Sequence, residues 1–303
     1  MEYLFSSILP VFGLIIIGYF FKKISFPSHE FWPMADKLTY YILMPALLIY
    51  KLSNAKFQND SFEFVLTSLI AIFLTLISLV IYNKKFPILN SSFTSVVQGG
   101  IRFNTYVFLA LCGSIFKDTG LVLSAIILTF TIPFLNILCI TIFSTYSDDK
   151  KLNIFYLIKS IFTNPLIVSC FIGGMLNLFG ITLPTSAISL LKILSDAALP
   201  LGLLSIGYAL VLKEIHSSKK ELIVSCFAKF VVLPFFMFVV AKFFALDNMM
   251  ISILMLFSVL PTAPSAFMLA RQLKGDLSLM TGIITVQTLL SVLFIMFVLY
   301  LFI

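Results

Sequence analysis

The sequence IRFNTY (residues 101–106) places an arginine and an asparagine inside a long hydrophobic stretch. A guanidinium near the centre of a bilayer costs roughly 2.5–3.5 kcal/mol on insertion scales, so an arginine at that depth usually has a partner or a function. A second interrupted stretch, LPTAPSAF (260–267), carries two prolines at the equivalent place in the other half of the chain. Two helices broken at equivalent points of two repeats are the best sequence indication of the binding site of a secondary transporter.

The composition of the whole chain is that of a membrane protein. Of its 303 residues, 60% are hydrophobic and 11% are charged, whereas soluble domains carry about 25% charged residues. The sequence predicts no cofactor and no metal centre, because both histidines lie in predicted loops and the four cysteines are scattered singly through apolar spans. No loop combines basic and aromatic residues as nucleic-acid-binding surfaces do, so we expect no nucleic acid partner.

Ten windows of about 20 mostly apolar residues, the length that a bilayer requires, predict ten transmembrane helices. In chain order the windows are 4–21, 33–52, 62–82, 94–115, 120–145, 155–180, 186–211, 219–244, 248–271 and 277–302. The loops after odd-numbered windows hold eleven lysines and arginines, and the loops after even-numbered windows hold four. Because positively charged loops stay in the cytoplasm, we expect a multi-pass protein of the cell (inner) membrane with both termini outside.

The two halves of the chain carry matching residues in the same order. Three pairs are separated by 155 positions, namely Pro10 and Pro165, Gly18 and Gly173, and Pro45 and Pro200. After a slip of three positions, residues 104–106 fall on 262–264, and Asp118 falls on Asp276. Each half contains five spans, an odd number, so the second half must be inverted relative to the first. The sequence therefore predicts an all-α polytopic membrane protein of two inverted five-helix repeats, 1–148 and 149–303, with broken, crossing helices four and nine.

The breaks in spans four and nine predict a binding site between half-helices. Lipid offers no hydrogen bonds, so broken helices persist only inside protein or beside a watery cavity. The half-helix after each break would direct its positive N-terminal end toward the middle of the membrane, where it favours a carboxylate. The substrate-binding residues predicted in this way are Arg102, Asn104, Thr105, Tyr106, Thr262, Ala263 and Ser265. The prolines predicted to act as hinges there are Pro45, Pro200, Pro261 and Pro264.

Simpler interpretations of these residues stay open. The side chain of Arg102 could extend along its helix to the cytoplasmic headgroups, and it would then bind no ligand. The prolines of span nine could kink a helix that is otherwise continuous. Asparagine and threonine within membranes often only join helices through hydrogen bonds. The matching positions of the two segments favour a binding site over these alternatives.

Two further charged residues lie within predicted spans, Asp196 in span seven and Lys229 in span eight. One interpretation is a buried ion pair that involves one or both of them. The sharper hypothesis assigns them to coupling, because a carboxylate removed from water, such as that of Asp196, holds a proton more readily and can carry it. Asp36, Lys37 and Lys192 lie nearer to span ends, where the side chain can reach the headgroups.

The resemblance to a known family is carried by six segments in a fixed order. They are LPVFGLIIIGYFFKK (9–23), LMPALLIYKLS (43–53), RFNTYVF (102–108), NPLIVSCFIGGMLNLFGI (164–181), AALPLGLLSIGYAL (197–210) and LPTAPSAFMLA (260–270). In order and spacing they resemble the auxin efflux carrier family, and the chain looks like a bacterial, PIN-like member. The resemblance implies ten helices in two inverted repeats, export or exchange of organic anions, and a substrate carboxylate near Asn104. Bacterial relatives are commonly associated with malate, malonate or similar acids.

One feature of the chain departs from that family. Its members usually have glycine or proline around the break in span four, where this chain has Phe103, Tyr106, Ala110 and Leu111. The shape of the cavity, and with it the substrate, therefore stays open. Tyr106 either narrows the site or stacks on a ring of the substrate.

The sequence as a whole predicts a secondary transporter of small organic anions such as carboxylates, either an exporter or an exchanger, which works by alternating access in the lipid bilayer. The alternative with the same inverted-repeat plan is a cation/proton antiporter, for which we would expect paired acidic residues at the crossing. We predict that the chain is not an enzyme, because no span carries a nucleophile with a base, paired carboxylates or a metal-binding motif. A receptor or a channel is a further alternative. The oligomeric state stays open, with a homodimer among the alternatives.

Overall fold

The computed structural model describes residues 2–53, 55, 61–146, 163–213 and 218–302. Regular structure in these ranges is helical throughout. The helices are α1 (Glu2–Lys23), α2 (Phe31–Leu38), α3 (Met44–Ser53), α4 (Ser61–Lys85), α5 (Asn90–Ile101), α6 (Thr105–Tyr146), α7 (Pro165–Leu178), α8 (Thr185–Ala209), α9 (Lys219–Phe227), α10 (Leu233–Phe243), α11 (Asn248–Ser258), α12 (Ser265–Gln272) and α13 (Leu277–Phe302). Two π-helical segments, Thr39–Leu43 and Ala228–Val232, join α2 to α3 and α9 to α10.

Helix α6 contains a sharp interruption at Lys117, where φ is 57° and ψ is −143°. These values lie outside the helical region, so α6 consists of two helices that meet at this residue. The interruption falls between the fourth and fifth predicted spans, which end at 115 and begin at 120.

Six helical stretches within the described residues are long and apolar enough to cross a membrane. They are Ser6–Lys23, Phe62–Lys85, Asn90–Tyr146, Thr185–Ala209, Lys219–Phe243 and Leu277–Phe302. Two apolar helices, α7 and α11, are shorter. Large apolar side chains such as Phe243, Leu178 and Phe62 are exposed, as lipid-facing side chains would be. The chain is therefore a multi-pass helical membrane protein, while the count of ten spans stays a prediction. The sixth predicted span, 155–180, lies partly outside the described residues.

One compact unit, called unit 1 here, comprises Met1–Ser61, Tyr106–Pro133 and Ile158–Ala209. In this unit α1 packs along α8, and glycine allows their backbones to touch. A Cβ atom on Gly207 would lie 1.8 Å from the carbonyl oxygen of Ile15. Any larger residue at that position would therefore push the two helices apart.

A second close contact in unit 1 joins α3 to α7. A Cβ atom on Gly173 of α7 would lie 2.9 Å from the Cβ atom of Leu52. On α1, a Cβ atom on Gly18 would lie 2.0 Å from the carbonyl oxygen of Leu204 in α8. Gly18 and Gly173, which the sequence pairs across the two halves, thus both lie where two helices meet closely.

The other compact unit, unit 2, comprises Phe62–Thr105, Phe134–Leu157 and Leu210–Ile303. Here α5 packs against α9, α12 and α13. A Cβ atom on Gly99 would lie 2.0 Å from the Ser225 hydroxyl oxygen, and one on Gly100 would lie 3.2 Å from the Cβ of Ala228. These small residues let α9 and the following π-helical segment approach the end of α5.

Each π-helical segment is followed closely by a proline. Pro45 lies two residues after Thr39–Leu43, and Pro234 lies two residues after Ala228–Val232. Proline has no N–H group and its ring clashes with the carbonyl group four residues earlier, so the preceding turn must widen. A π-helical turn supplies this extra width, and such turns are frequent at functional sites. Pro45 thus follows a widened turn, and its role as a hinge stays a prediction. Pro200 lies inside α8.

Both compact units draw on both halves of the sequence. The division into repeats 1–148 and 149–303 describes a different property, the internal similarity of the sequence, and it stays a prediction.

Candidate functional site

The first helix break lies at residues 102–104, as the sequence predicts. Helix α5 ends at Ile101, and Arg102 follows in an extended conformation, with φ −77° and ψ 154°. Its backbone N–H still donates to the carbonyl oxygen of Gln98, at 2.8 Å. Helix α6 begins at Thr105. Arg102 therefore stands at the C-terminal end of one helix and three residues before the start of the next.

The second helix break lies at residues 259–264, between α11 and α12. Pro261 is buried and Pro264 is half-buried and directly precedes α12. Proline cannot donate a backbone hydrogen bond, so two prolines within four positions exclude a regular helix there. The prediction that these prolines interrupt span nine, and do more than kink it, agrees with this geometry.

Thr262 and Gln287 connect the two breaks within unit 2, and both are fully buried. The amide oxygen of Gln287 accepts from the backbone N–H of Thr262 at 3.1 Å and lies 2.7 Å from its hydroxyl oxygen. The amide nitrogen of Gln287 donates to the carbonyl oxygen of Gly99 at 2.9 Å. The Thr262 hydroxyl also lies within reach of the carbonyl oxygens of Gly99 and Arg102, at 3.1 and 3.3 Å. One glutamine on α13 thus holds both irregular segments.

Lys229 lies in the π-helical segment before α10 and is fully buried. Its ammonium donates to the backbone carbonyl oxygen of Arg102 at 2.9 Å. Among the described residues the ion pair is that of Lys51 with Asp118, at 2.7 Å, and it involves neither Lys229 nor Asp196. The carbonyl groups at a helix end carry partial negative charge, so the end of α5 can act as the partner of Lys229 in place of a carboxylate.

The guanidinium of Arg102 points to the start of α12. Its Nη1 donates to the side-chain oxygen of Asn136 at 3.3 Å, and its Nη2 lies 3.5 Å from the hydroxyl oxygen of Ser265. Arg102 is half-buried and Ser265 is exposed. Within the described ranges, no carboxylate lies within ion-pair distance of Arg102. One partly exposed site in unit 2 therefore contains a guanidinium, a hydroxyl, an amide and a helix N-terminus.

The remaining predicted substrate-binding residues differ in burial. Asn104 is buried, whereas Thr105, Tyr106 and Ala263 are half-buried. The carbonyl oxygen of Ala263 accepts from the backbone N–H of Ala266 at 3.0 Å and so begins α12. Tyr106 belongs to unit 1, where its ring packs on α8. Of the seven residues, the structure joins Arg102, Thr262 and Ser265 in one set of contacts.

Two acidic residues of unit 1, Asp196 and Asp36, lie within predicted spans. Asp196 lies in α8 and is exposed, and its role in coupling stays a prediction. Asp36, which the sequence assigns to a span end, accepts a hydrogen bond from the Ser205 hydroxyl at 3.3 Å. Asp36 thus contacts a neighbouring helix of unit 1.

Two polar residues of the site, Asn136 and Gln287, were missed by the sequence analysis. Each is a lone amide inside an apolar helix, in FLNIL (134–138) and TVQTL (285–289). Such residues are costly in a membrane unless they bond to another helix. This cost indicates that each amide has a hydrogen-bond partner on another helix, but it does not show which group the partner is.

Comparison with known proteins gives two findings. A model of the Sodium Bile acid symporter family matches residues 209–303, the C-terminal part of the chain. The chain is also 24% identical over 304 residues to a protein of Rhizobium meliloti (strain 1021) named "Putative malonate transporter". This alignment covers 94% of the chain and 91% of the Rhizobium protein.

Both matches are with membrane transport proteins, and the chain is a transport protein and not an enzyme. The matched region 209–303 contains Lys229, Thr262, Ser265 and Gln287, while Arg102 lies outside it. The prediction of a membrane transporter is confirmed at this level. Neither match identifies the auxin efflux carrier family in particular.

Proposed function

We propose that this chain is a secondary transporter of small organic anions, an exporter or exchanger, which binds the anion at the helix breaks of unit 2. The observation that carries the proposal is the place of the Arg102 guanidinium. It is half-buried, it contacts Asn136 and Ser265, and it has no carboxylate partner among the described residues. A carboxylate from outside the chain is the ligand that this arrangement favours.

The physical reason is the uncompensated charge. A cation inside a membrane protein is costly and is normally paired. Arginine presents a planar fork of N–H donors that matches the two oxygens of a carboxylate, so one anion can accept two hydrogen bonds from it. The start of α12 adds a partial positive charge beside Ser265. Both contributions favour an anion and disfavour a cation.

Malonate and other short dicarboxylates are the substrates to test first. The name of the Rhizobium relative supports this choice, and so does the small polar set around Arg102. The assignment to the auxin efflux carrier family, with ten helices and both termini outside, is part of the same proposal. It is supported by the two broken helices at the predicted positions.

Alternating access between two inverted repeats is the proposed mechanism. It is supported by the way helices pair in unit 1. In the predicted repeat, α1 corresponds to α7, and α3 corresponds to part of α8. The contact of α1 with α8 and the contact of α7 with α3 are then equivalent, and each includes one of the paired glycines, Gly18 and Gly173. Equivalent contacts are what an inverted repeat requires.

The test is counterflow in proteoliposomes preloaded with malonate, with Arg102→Ala as the variant. Losing charged hydrogen bonds worth about 1.5–3 kcal/mol should lower kcat/KM by roughly 10- to 150-fold. Arg271→Ala is the matched control, because Arg271 lies in the last turn of α12 and is exposed. This variant should exchange malonate at the wild-type rate. If the Arg102 variant exchanges malonate at the wild-type rate, the anion does not bind at Arg102. Proton movement driven by sodium or lithium, without flux of any acid, would favour the antiporter instead.

A further inference from the structure

The C-terminal end of α5 needs partners for its backbone carbonyl groups. The last four carbonyl groups of a helix have no N–H partner within the helix, and inside a membrane protein an unpaired carbonyl group is costly. At this end the carbonyl oxygen of Gly99 accepts from Gln287, and that of Arg102 accepts from Lys229. Because the end of a helix carries partial negative charge, a cation is a favourable partner there.

Lys229 has the properties of that cation. Its side chain is fully buried, and no carboxylate of the described residues lies within ion-pair distance of it. The recorded contact of its ammonium is the Arg102 carbonyl oxygen, at 2.9 Å. The Thr262 hydroxyl approaches the same carbonyl oxygen, at 3.3 Å. The positive charge is thus placed at the helix break itself.

Local structure explains how a lysine comes to point there. The widened turn before Pro234 contains Lys229, and its neighbour Ala228 lies next to Gly100 on α5. The small residues bring the two backbones close, so the lysine side chain reaches the helix end without leaving the interior of unit 2.

We propose that the Lys229 ammonium is a built-in monovalent cation that neutralises the end of α5, so that the carrier needs no free cation at this break. In transporters with broken helices, unwound carbonyl groups and half-helix ends commonly bind sodium ions. Here the positive charge belongs to a side chain of the protein, the ammonium of Lys229. That the carrier works without a free cation at this break rests on the proposed function. That Lys229 occupies the place of a bound cation does not rest on it.

The experiment measures the unfolding temperature of the purified protein in detergent, in chloride salts of choline, sodium, potassium and n-propylammonium at equal ionic strength. Lys229→Ala removes the charge and leaves space, and Lys229→Met removes the charge but fills the space. Lys242→Ala is the control, because Lys242 is an exposed lysine on the following helix α10. n-Propylammonium replaces most of the deleted lysine side chain.

We expect the wild type to unfold at the same temperature in all four salts. Lys229→Ala should unfold at a temperature lower by roughly 5 °C or more in choline, and sodium, potassium or n-propylammonium should restore part of the loss. Lys229→Met should lose stability without recovery, and Lys242→Ala should match the wild type.

Three results would overturn the proposal. The first is a wild type that sodium or potassium stabilises over choline, because a free cation site would then exist. The second is a Lys229→Ala variant as stable as the wild type. The third is a loss that none of the three cations restores, which would leave lysine packing as its cause.

If Lys229→Ala does not fold, the wild type alone still tests the proposal. Its unfolding temperature must then be the same in sodium chloride as in choline chloride. Because this readout needs no substrate, the proposal about Lys229 can fail while malonate exchange succeeds, and the reverse also holds.

Discussion

Two buried glutamines of unit 2 provide a matched pair for testing the site. Gln287 and Gln98 are both fully buried. Gln287 makes three contacts of 3.1 Å or less, with Thr262 and Gly99. Gln98 has a side-chain oxygen without a hydrogen-bond partner among the described residues, and its amide nitrogen reaches only the sulfur of Met280, at 3.8 Å. Replacing each by methionine removes the polar atoms and keeps the length of the side chain.

The expected effects differ in size and sign. At about 0.6 kcal/mol for each hydrogen bond between membrane helices, the three contacts of Gln287 amount to about 2 kcal/mol. The backbone N–H of Thr262 would in addition lose its partner, at a cost of about 1–3 kcal/mol. Gln287→Met should therefore lower the free energy of unfolding by about 3–5 kcal/mol, or the unfolding temperature by about 5–10 °C. Gln98→Met should be neutral or stabilising, because it removes an unpaired buried acceptor.

A thiol-reactive fluorescent dye is a suitable assay in detergent. Cys112, Cys139 and Cys170 are free and buried, so they react only when the protein unfolds. If Gln98→Met destabilises as much as Gln287→Met, the bridge between the two helix breaks is not the source of the stability. A shift of less than 1 °C for Gln287→Met would also refute the reasoning, since three hydrogen bonds would then contribute almost nothing.

Three further predictions concern packing and surface charge. Gly99→Ala should lower the free energy of unfolding by about 1–3 kcal/mol, because the added Cβ would lie 2.0 Å from a hydroxyl oxygen. Gly174→Ala is its control in the same melting assay and should be neutral or stabilising, because nothing lies within 4 Å of the added Cβ. Gly207→Ala should be more damaging than Gly13→Ala, because at Gly207 the obstacle is a backbone atom of α1 that cannot rotate away; equal melting temperatures would show that the helices separate freely. Asp118→Asn breaks an ion pair whose aspartate is 86% exposed, so it should change stability by at most about 1 kcal/mol, and a larger loss would indicate a role beyond that pair.

The positions of the helix breaks could be predicted from the sequence for a clear physical reason. Two prolines within four positions remove neighbouring backbone donors, and an arginine inside an apolar span is costly unless protein or a polar cavity surrounds it. Such residues indicate where a helix is interrupted, because the constraint acts on the residue itself. The break at 102–104 and the break at 259–264 follow from local chemistry of this kind.

The partner of Lys229 could not be predicted in the same way. A charge inside a predicted span suggests an opposite charge as its partner, which is why a buried ion pair was one interpretation of Lys229. The true partner is a backbone carbonyl oxygen at a helix end, and sequence does not show which carbonyl groups will lack an N–H. The π-helical turn that directs Lys229 there is also a product of packing around Pro234. For the same reason the sequence contains Asn136 and Gln287 as lone amides in apolar segments but does not show which groups they bind.

The distribution of charge in unit 2 favours the proposed anion transporter over the antiporter. The acidic residues of its described part lie at helix ends: Glu63 and Glu221 in first turns, Asp247 as the N-cap of α11, and Asp276 just before α13. The two cations beside the helix breaks, Arg102 and Lys229, therefore have no acidic counterpart there. A cation moving past them would meet repulsion that a low-polarity interior screens poorly. An anion would lower the energy of the same arrangement, because it would supply the missing negative charge at the guanidinium while Lys229 remains bound to the helix end.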